Sequence, residues 1–311
     1  FVLSVLPNEI QEVTSNDSIF LTVLLLLSLM FWTLFLMKLS FKTAVIRPLI
    51  VLVLITARIL SIKYDWFSFL HETEVFSPML YGSNEWFPSF FDYLFNVALI
   101  IFLLYEVVHL MKRITTFKSF KYIPLVFIMG SFLIWQLIIH LLKGLVEDST
   151  IPLAIEELFS LNIYSVLAVA SIGALFYAYI FSLRVSFNLI RDIELPGQRL
   201  AIFIFSLGCF YMLFDLNYGS RNFFTSIFPL ILYGFIFYVV YIRQSKFKLG
   251  SGIIVMFMFS AILALNISDF NKEKEKGERE LYANQFATEK NISTEAEYLQ
   301  TSIDLHNDKF L

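Results

Sequence analysis

The feature that most constrains this chain is the recurrence of uninterrupted apolar runs about as long as a bilayer is thick. A spanning helix needs about 20 apolar residues, with a range of roughly 17–25. Candidate runs lie at about 18–38, 48–64, 92–111, 123–143, 164–183, 200–216, 226–242 and 250–267. Eight such segments predict an all-α polytopic membrane helix bundle of about eight transmembrane helices. Composition points the same way: 58% of residues are hydrophobic, 16% are charged and 36 are Phe, with a mean hydropathy of +0.73. A soluble core cannot hide that much apolar surface, since an average soluble domain is about 45–50% apolar and about 25% charged. The net charge of −3 excludes nucleic acid as a partner, because neutralising phosphates needs a basic surface. Cys209 is the single cysteine, which rules out an internal disulfide or a cysteine metal cluster.

Orientation follows from where the basic residues fall, because Lys and Arg accumulate on the cytoplasmic side. One set of alternate connections carries thirteen: Lys38, Lys42, Arg47, Lys112, Arg113, Lys118, Lys121, Arg184, Arg191, Arg199, Arg243, Lys246 and Lys248. The other set, apart from the tail, carries three: Lys63, Lys143 and Arg221. The basic set is expected in the cytoplasm of a bacterial inner membrane, which leaves both ends of the chain extracytoplasmic. The outer loop Tyr64 to Phe91 holds Trp66, Trp86, Phe87, Phe90 and Phe91 with the helix breakers Pro78 and Pro88, and reads as an aromatic segment at the interface. Residues 1–17 form an extracytoplasmic lead-in, 18–267 the membrane bundle, and 268–311 a charged tail leading to a further domain. The chain begins at Phe1 without a signal peptide and reads as a fragment or processed product.

The apolar run Gly250 to Ile267 gives way abruptly to Lys272-Glu273-Lys274-Glu275-Lys276-Gly277-Glu278-Arg279-Glu280, which water solvates and hydrocarbon does not. Beyond it Ile292, Ala296, Leu299 and Ile303 recur at intervals of four, three and four, one face of an amphipathic helix. That face is the expected coupling or dimerisation surface, and a symmetric homodimer is the natural assembly.

Ionisable groups inside spans are expensive, so each is a functional candidate. Arg58 lies in the second span near its outer end, with Asp215 at the outer end of the sixth span and Asp65 on its own chain as expected partners. Gln136 and His140 are one turn apart in the fourth span, suited to hydrogen bonds between helices or to a ligand. Glu106 and His109 share a face, but the second Glu-x-x-His of a di-metal site is missing, so no metal site is expected. Small residues from Ala168 to Ala178 predict close packing of the fifth span inside the bundle. Phosphate-loop, nucleophile-elbow, zinc-protease and dinucleotide motifs are lacking, so no catalytic residue and no cofactor is expected.

Two stretches carry a resemblance. The tail Glu278-Arg279-Glu280-Leu281-Tyr282-Ala283-Asn284-Gln285-Phe286-Ala287-Thr288-Glu289-Lys290, running on to Glu295-Ala296-Glu297-Tyr298-Leu299, resembles a segment of large multi-pass sensor histidine kinases of Bacteroidota. The outer-loop stretch Phe76-Ser77-Pro78-Met79-Leu80-Tyr81-Gly82-Ser83, with Phe87-Pro88-Ser89-Phe90-Phe91-Asp92, is similar to the corresponding loop of the same proteins. The resemblance implies a sensory and signal-transducing membrane module whose kinase core lies outside residues 1–311. The rival expectations are a transport subunit and a non-catalytic scaffold subunit of an envelope complex, contacting other envelope proteins as well as the lipid bilayer.

Overall fold

The computed structural model describes residues 46–64, 73–115, 122–153, 162–193, 195–218, 223–243 and 249–307, with isolated helical positions between Leu24 and Phe35. Among the described residues the chain is helical apart from turns and isolated bridges. The helices are α1 (Ile46–Lys63), α2 (Phe90–Ile114), α3 (Ile123–Glu147), α4 (Ile163–Arg191), α5 (Gly197–Tyr218), α6 (Phe223–Phe237, continued by a π-turn Tyr238–Ile242) and α7 (Leu249–Asn307). Six of them, α2 to α7, are long and apolar enough to cross a membrane, so the chain has the build of a multi-pass membrane protein. The predicted second span is α1, 18 residues that include Arg47, Arg58 and Lys63. The predicted first span lies largely outside the described residues, as do the lead-in and Asp65.

Local chemistry sets the helix ends. Ser89 caps α2 by accepting the Asp92 N–H at 3.3 Å, and Asn162 caps α4 by accepting the Ser165 N–H at 2.9 Å. Pro124 occupies the first turn of α3, where a missing N–H breaks no helical bond. Pro229 is placed differently from expectation. The sequence sets it near the end of a span, whereas α6 begins at Phe223 and encloses it. A proline inside a helix frees the carbonyl four residues back, here that of Thr225. The indole Nε1–H of Trp135 on α3 donates to that carbonyl at 3.4 Å, so the lost helical bond becomes a contact between helices.

Helix α4 runs through the middle, packed on α2, α3 and α6. It buries large side chains, among them Tyr164, Leu175, Phe176 and Tyr179, while Ala170 and Ala174 are exposed. The expected close approach through its small residues is therefore partial, with Ala168 fully buried and Ala178 partly buried against the core. Tight contact occurs instead between α5 and α6, where a Cβ on Gly208 would collide with Leu230. Aromatic rings fill the space around α4: Phe176 stacks on Phe259 of α7 with centroids 3.7 Å apart, and Trp135 on Phe228 of α6 at 4.9 Å. Offset ring pairs of this kind add about 0.5–1.5 kcal/mol beyond area burial, which gives the high Phe content a structural use.

Helix α7 is one continuous element of 59 residues, about 88 Å at 1.5 Å per residue. Its first half packs on α3 and α6, burying Val255, Ile262, Asn266, Ile267 and Phe270. The helix does not stop where apolar sequence ends, because the charged run is spaced for helical pairing. Arg279 meets Glu275 at 2.9 Å and Lys276 meets Glu280 at 3.9 Å, both at i,i+4. The expected division between bundle and tail at 267/268 thus falls inside a single helix. Asn266 is structural, since its buried side chain accepts from Thr225 Oγ1 at 2.8 Å and donates to the Ile262 carbonyl at 2.7 Å.

Candidate functional site

The chemistry-bearing side chains gather toward one end of the bundle, the end that the basic-residue count assigns to the outside. Three groups stand there. The first is built on Arg58, which α1 carries one turn before its end and which is 4% exposed. Its NH1 pairs with Asp92 Oδ1 of α2 at 2.7 Å, and its Nε–H donates to Asn96 Oδ1 at 2.7 Å. NH1 also reaches Ser61 Oγ at 3.4 Å, NH2 reaches the Trp86 carbonyl at 3.3 Å, and the guanidinium lies 5.2 Å from the Phe95 ring centre. A buried ion pair is tolerable only when the remaining donors and lone pairs are also satisfied. Here the other carboxylate oxygen accepts from Ser89 Oγ at 2.6 Å, and Asn96 Nδ2 donates to the same Trp86 carbonyl at 2.8 Å. The group therefore ties α1, α2 and the loop at Trp86 into one rigid unit.

Neither partner expected for Arg58 from the sequence is seen beside it: Asp215 is engaged elsewhere, and Asp65 lies outside the described residues. The signal for Asp92 was present. A cation near the outer end of one span faces the first turn of the next antiparallel span, where Asp92 follows the cap Ser89 by three residues. Asp92 opens the third span as read from the sequence, yet it is not among the partners expected there for Arg58.

The second group is built on Asp215, fully buried on α5. One carboxylate oxygen accepts from Gln136 Nε2 of α3 and the other from Ser226 Oγ of α6. Gln136 also donates to Tyr211 OH at 2.7 Å, one turn before Asp215. In the same bundle Tyr233 OH meets Ser131 Oγ at 2.6 Å and Tyr179 OH at 2.8 Å. Gln136 thus joins helices as its type suggests. His140, one turn on, is on the exposed side of α3 and does not share its site. Glu106 and His109 lie toward the other end of the bundle, with His109 stacked on Tyr105 at 6.5 Å.

The third group holds α7 to the end of α3. Lys143 Nζ lies 3.1 Å from Glu273, 3.3 Å from Glu147 and 5.7 Å from the Phe270 ring centre. Lys274 Nζ donates to the carbonyls of Ser149 at 2.6 Å and Val146 at 3.2 Å. A cation on the unsatisfied carbonyls of a helix C-terminus is favoured both by hydrogen bonding and by the helix dipole. The outer loop docks on the same turn: Gly82 N–H donates to the Asp148 carbonyl at 3.3 Å, and Thr150 N–H to the Leu80 carbonyl at 3.0 Å. Burial, and next the Asp148 carboxylate, push the Tyr81 hydroxyl above its ordinary range. The last turn of α3 is therefore where the loop and α7 meet. Lys274 gave no sign of this in the sequence, since it sits in a run with seven other charged residues.

Ile292, Ala296, Leu299 and Ile303 all fall within α7, on one face by spacing, and their side chains lie outside the described residues. Closer to the bundle, Leu281, Tyr282 and Phe286 are exposed on the same helix. Among the described residues no cluster of three or more His, Cys, Asp or Glu side chains is placed to hold a metal ion. Comparison with protein-family models, curated proteins and solved structures finds no match to this chain.

Proposed function

We propose that this chain is the membrane block of a sensor histidine kinase, transmitting between the bundle and a domain carried on α7, with its kinase core outside residues 1–311. One observation carries the reading: α7 passes unbroken from the packed bundle into the charged tail while Lys274 and Glu273 fasten it to the end of α3. A continuous helix conveys rotation or axial shift over its whole length, whereas a loop at residue 268 would dissipate both. Charge-assisted bonds at the junction seat the helix, and breaking them is the second state that the proposed switch requires. The basic connections are then cytoplasmic, the membrane is the bacterial inner membrane, and the tail pairs two copies through Ile292, Ala296, Leu299 and Ile303. The resemblance of tail and outer loop to multi-pass sensor kinases supports the same reading.

The test uses the uninterrupted gene expressed in a bacterial membrane. Ile292→Asp with Leu299→Asp is expected to abolish the response of kinase autophosphorylation to its stimulus while membrane insertion is retained. Lys274→Glu is expected to shift basal autophosphorylation without any stimulus. An uninterrupted gene that encodes no kinase core overturns the reading and favours a scaffold or transport subunit. Normal signalling in the double variant removes the role assigned to the tail.

A further inference from the structure

The Arg58 group has a second consequence. Beside it lies a cavity of about 660 Å³, within the range of roughly 300–1,000 Å³ typical of small-molecule sites. Ile59 and Ile62 of α1, Phe76 and Pro78 give it apolar walls, and Ser61, Ser89 and Asp92 lie at its inner side. Trp86 forms another wall, and its position is fixed from behind, because Arg58 and Asn96 both donate to its carbonyl. The backbone of that wall is held before any ligand arrives, which lowers the ordering cost of binding.

The charges around this cavity are distributed unevenly. Asp92 is already neutralised by Arg58 and bonded by Ser89. Lys63 and Glu85, in contrast, line the cavity as exposed groups that make no ion pair among the described residues; the Lys63 ammonium lies 5.8 Å from the Tyr64 ring centre. One cation and one anion without an ion pair among the described residues, on helix α1 and the 84–87 turn, suit a ligand with both signs. Below Lys63, the face of α1 through Ile59, Thr56 and Leu52 is exposed, with Ile59 and Leu52 at 45% and 62%. That stripe offers an apolar track leading away from the charged rim.

We infer that this cavity binds a zwitterionic phosphoamine, its phosphate on Lys63 and its ammonium on Glu85, most naturally as the headgroup of a phospholipid whose chain lies along α1. Trp86 sits beside the headgroup in the position that membrane-interface tryptophans favour. Arg58 and Asn96 are positioning residues here and touch no ligand. The site stands independently of the signalling role, because its readout is binding alone.

The experiment takes the 311-residue chain in mild detergent and counts retained lipids by native mass spectrometry. The probes are dioleoylphosphatidylethanolamine, dioleoylphosphatidylglycerol as an anionic comparator, and soluble glycerophosphoethanolamine as competitor. One phosphatidylethanolamine per chain is expected, and Lys63→Gln and Glu85→Gln should each weaken retention about tenfold, the size of one charge-assisted hydrogen bond. Both residues are exposed, so neither change threatens folding. Displacement by glycerophosphoethanolamine assigns the site to free zwitterions as well; lipid that resists displacement assigns it to the membrane. Equal retention of phosphatidylglycerol with no effect of Glu85→Gln overturns the zwitterion, and unchanged retention in both variants overturns the site.

Discussion

Arg58 and Asp215 are both buried ionisable groups at the same end of the bundle, yet the protein treats them differently. Arg58 cannot shed its charge in a protein. It is met by a carboxylate, and every neighbour of that pair is drawn into satisfying the remaining donors. Asp215, among the described residues, accepts from neutral donors. It is met by an amide and a hydroxyl, with a phenol bonded to the same amide. The first group fastens a loop to two helices; the second fastens three helices to each other. A guanidinium needs acceptors for several N–H groups at once, whereas a carboxylate can be seated on donors that packed helices bring to it.

The contrast breaks most visibly at Asp92. Asp92→Ala leaves Arg58 uncompensated in a buried setting and is expected to lower stability by about 3–5 kcal/mol, measured by denaturant titration in detergent. The double change Arg58→Leu with Asp92→Leu removes both charges and should recover most of that loss. Equal destabilisation in the single and double variants would show that packing at α1 and α2, and not the stranded charge, sets the penalty. At Asp215 the expectations are smaller. Asp215→Ala leaves Gln136 and Ser226 without their acceptor and is expected to lose about 1–3 kcal/mol. Asp215→Asn keeps an acceptor and a donor and should lose less than about 1 kcal/mol, in line with hydrogen bonds between membrane helices. An Asn variant as weak as the Ala variant would mean that the charge itself matters, and the two groups would then be alike.

The Asp215 group also depends on α5 and α6 lying close, and Gly208 tests that separately. An added Cβ would meet Leu230 Cγ at 3.2 Å and Leu230 Cβ at 3.3 Å, besides colliding with its Cδ1. The Leu230 side chain can yield in part, so Gly208→Ala is expected to lose only about 1 kcal/mol. Combined with Asp215→Ala the losses should fall short of additive, since both act on the same helix pair. Strict additivity would separate the helix approach from the hydrogen bonds.

Much of this architecture was legible beforehand. Six of the apolar runs became helices of spanning length because hydrocarbon leaves a long apolar run no other fold. Arg58 and Asp215 stood out because charge inside an apolar run is rare, and Gln136 did so as a polar amide in one. Their partners were harder to read, since Asp92, Asn96 and Ser226 sit near helix ends where polar residues are ordinary. The role of Pro229 depended on where α6 begins, and periodicity locates helix ends poorly. Lys274 was hidden by its own neighbours: in a run of alternating charge, only the fold decides which lysine reaches the end of α3.

The least perturbing test concerns the second anchor of the outer loop. Arg58 holds that loop at Trp86, and the stretch around Tyr81 holds it to the end of α3, where Tyr81 is 1% exposed. Its hydroxyl ionises above the ordinary tyrosine range because burial, and then Asp148, disfavour the phenolate, against the smaller opposing effect of Ser83. Below about pH 10 the phenol is protonated in folded and unfolded chains alike, so the shift has no effect on stability there. Above that pH the unfolded chain releases this proton and the folded chain retains it. The unfolded state then binds fewer protons, and stability falls as pH rises, by up to about 1.4 kcal/mol per pH unit. Tyr81→Phe removes this dependence, so its denaturation midpoint should track the parent's at pH 7 to 9 apart from a constant offset and fall less steeply above pH 10. Parallel profiles through pH 11 would mean that the loop leaves α3 before the chain unfolds, and that Arg58 alone holds it during denaturation.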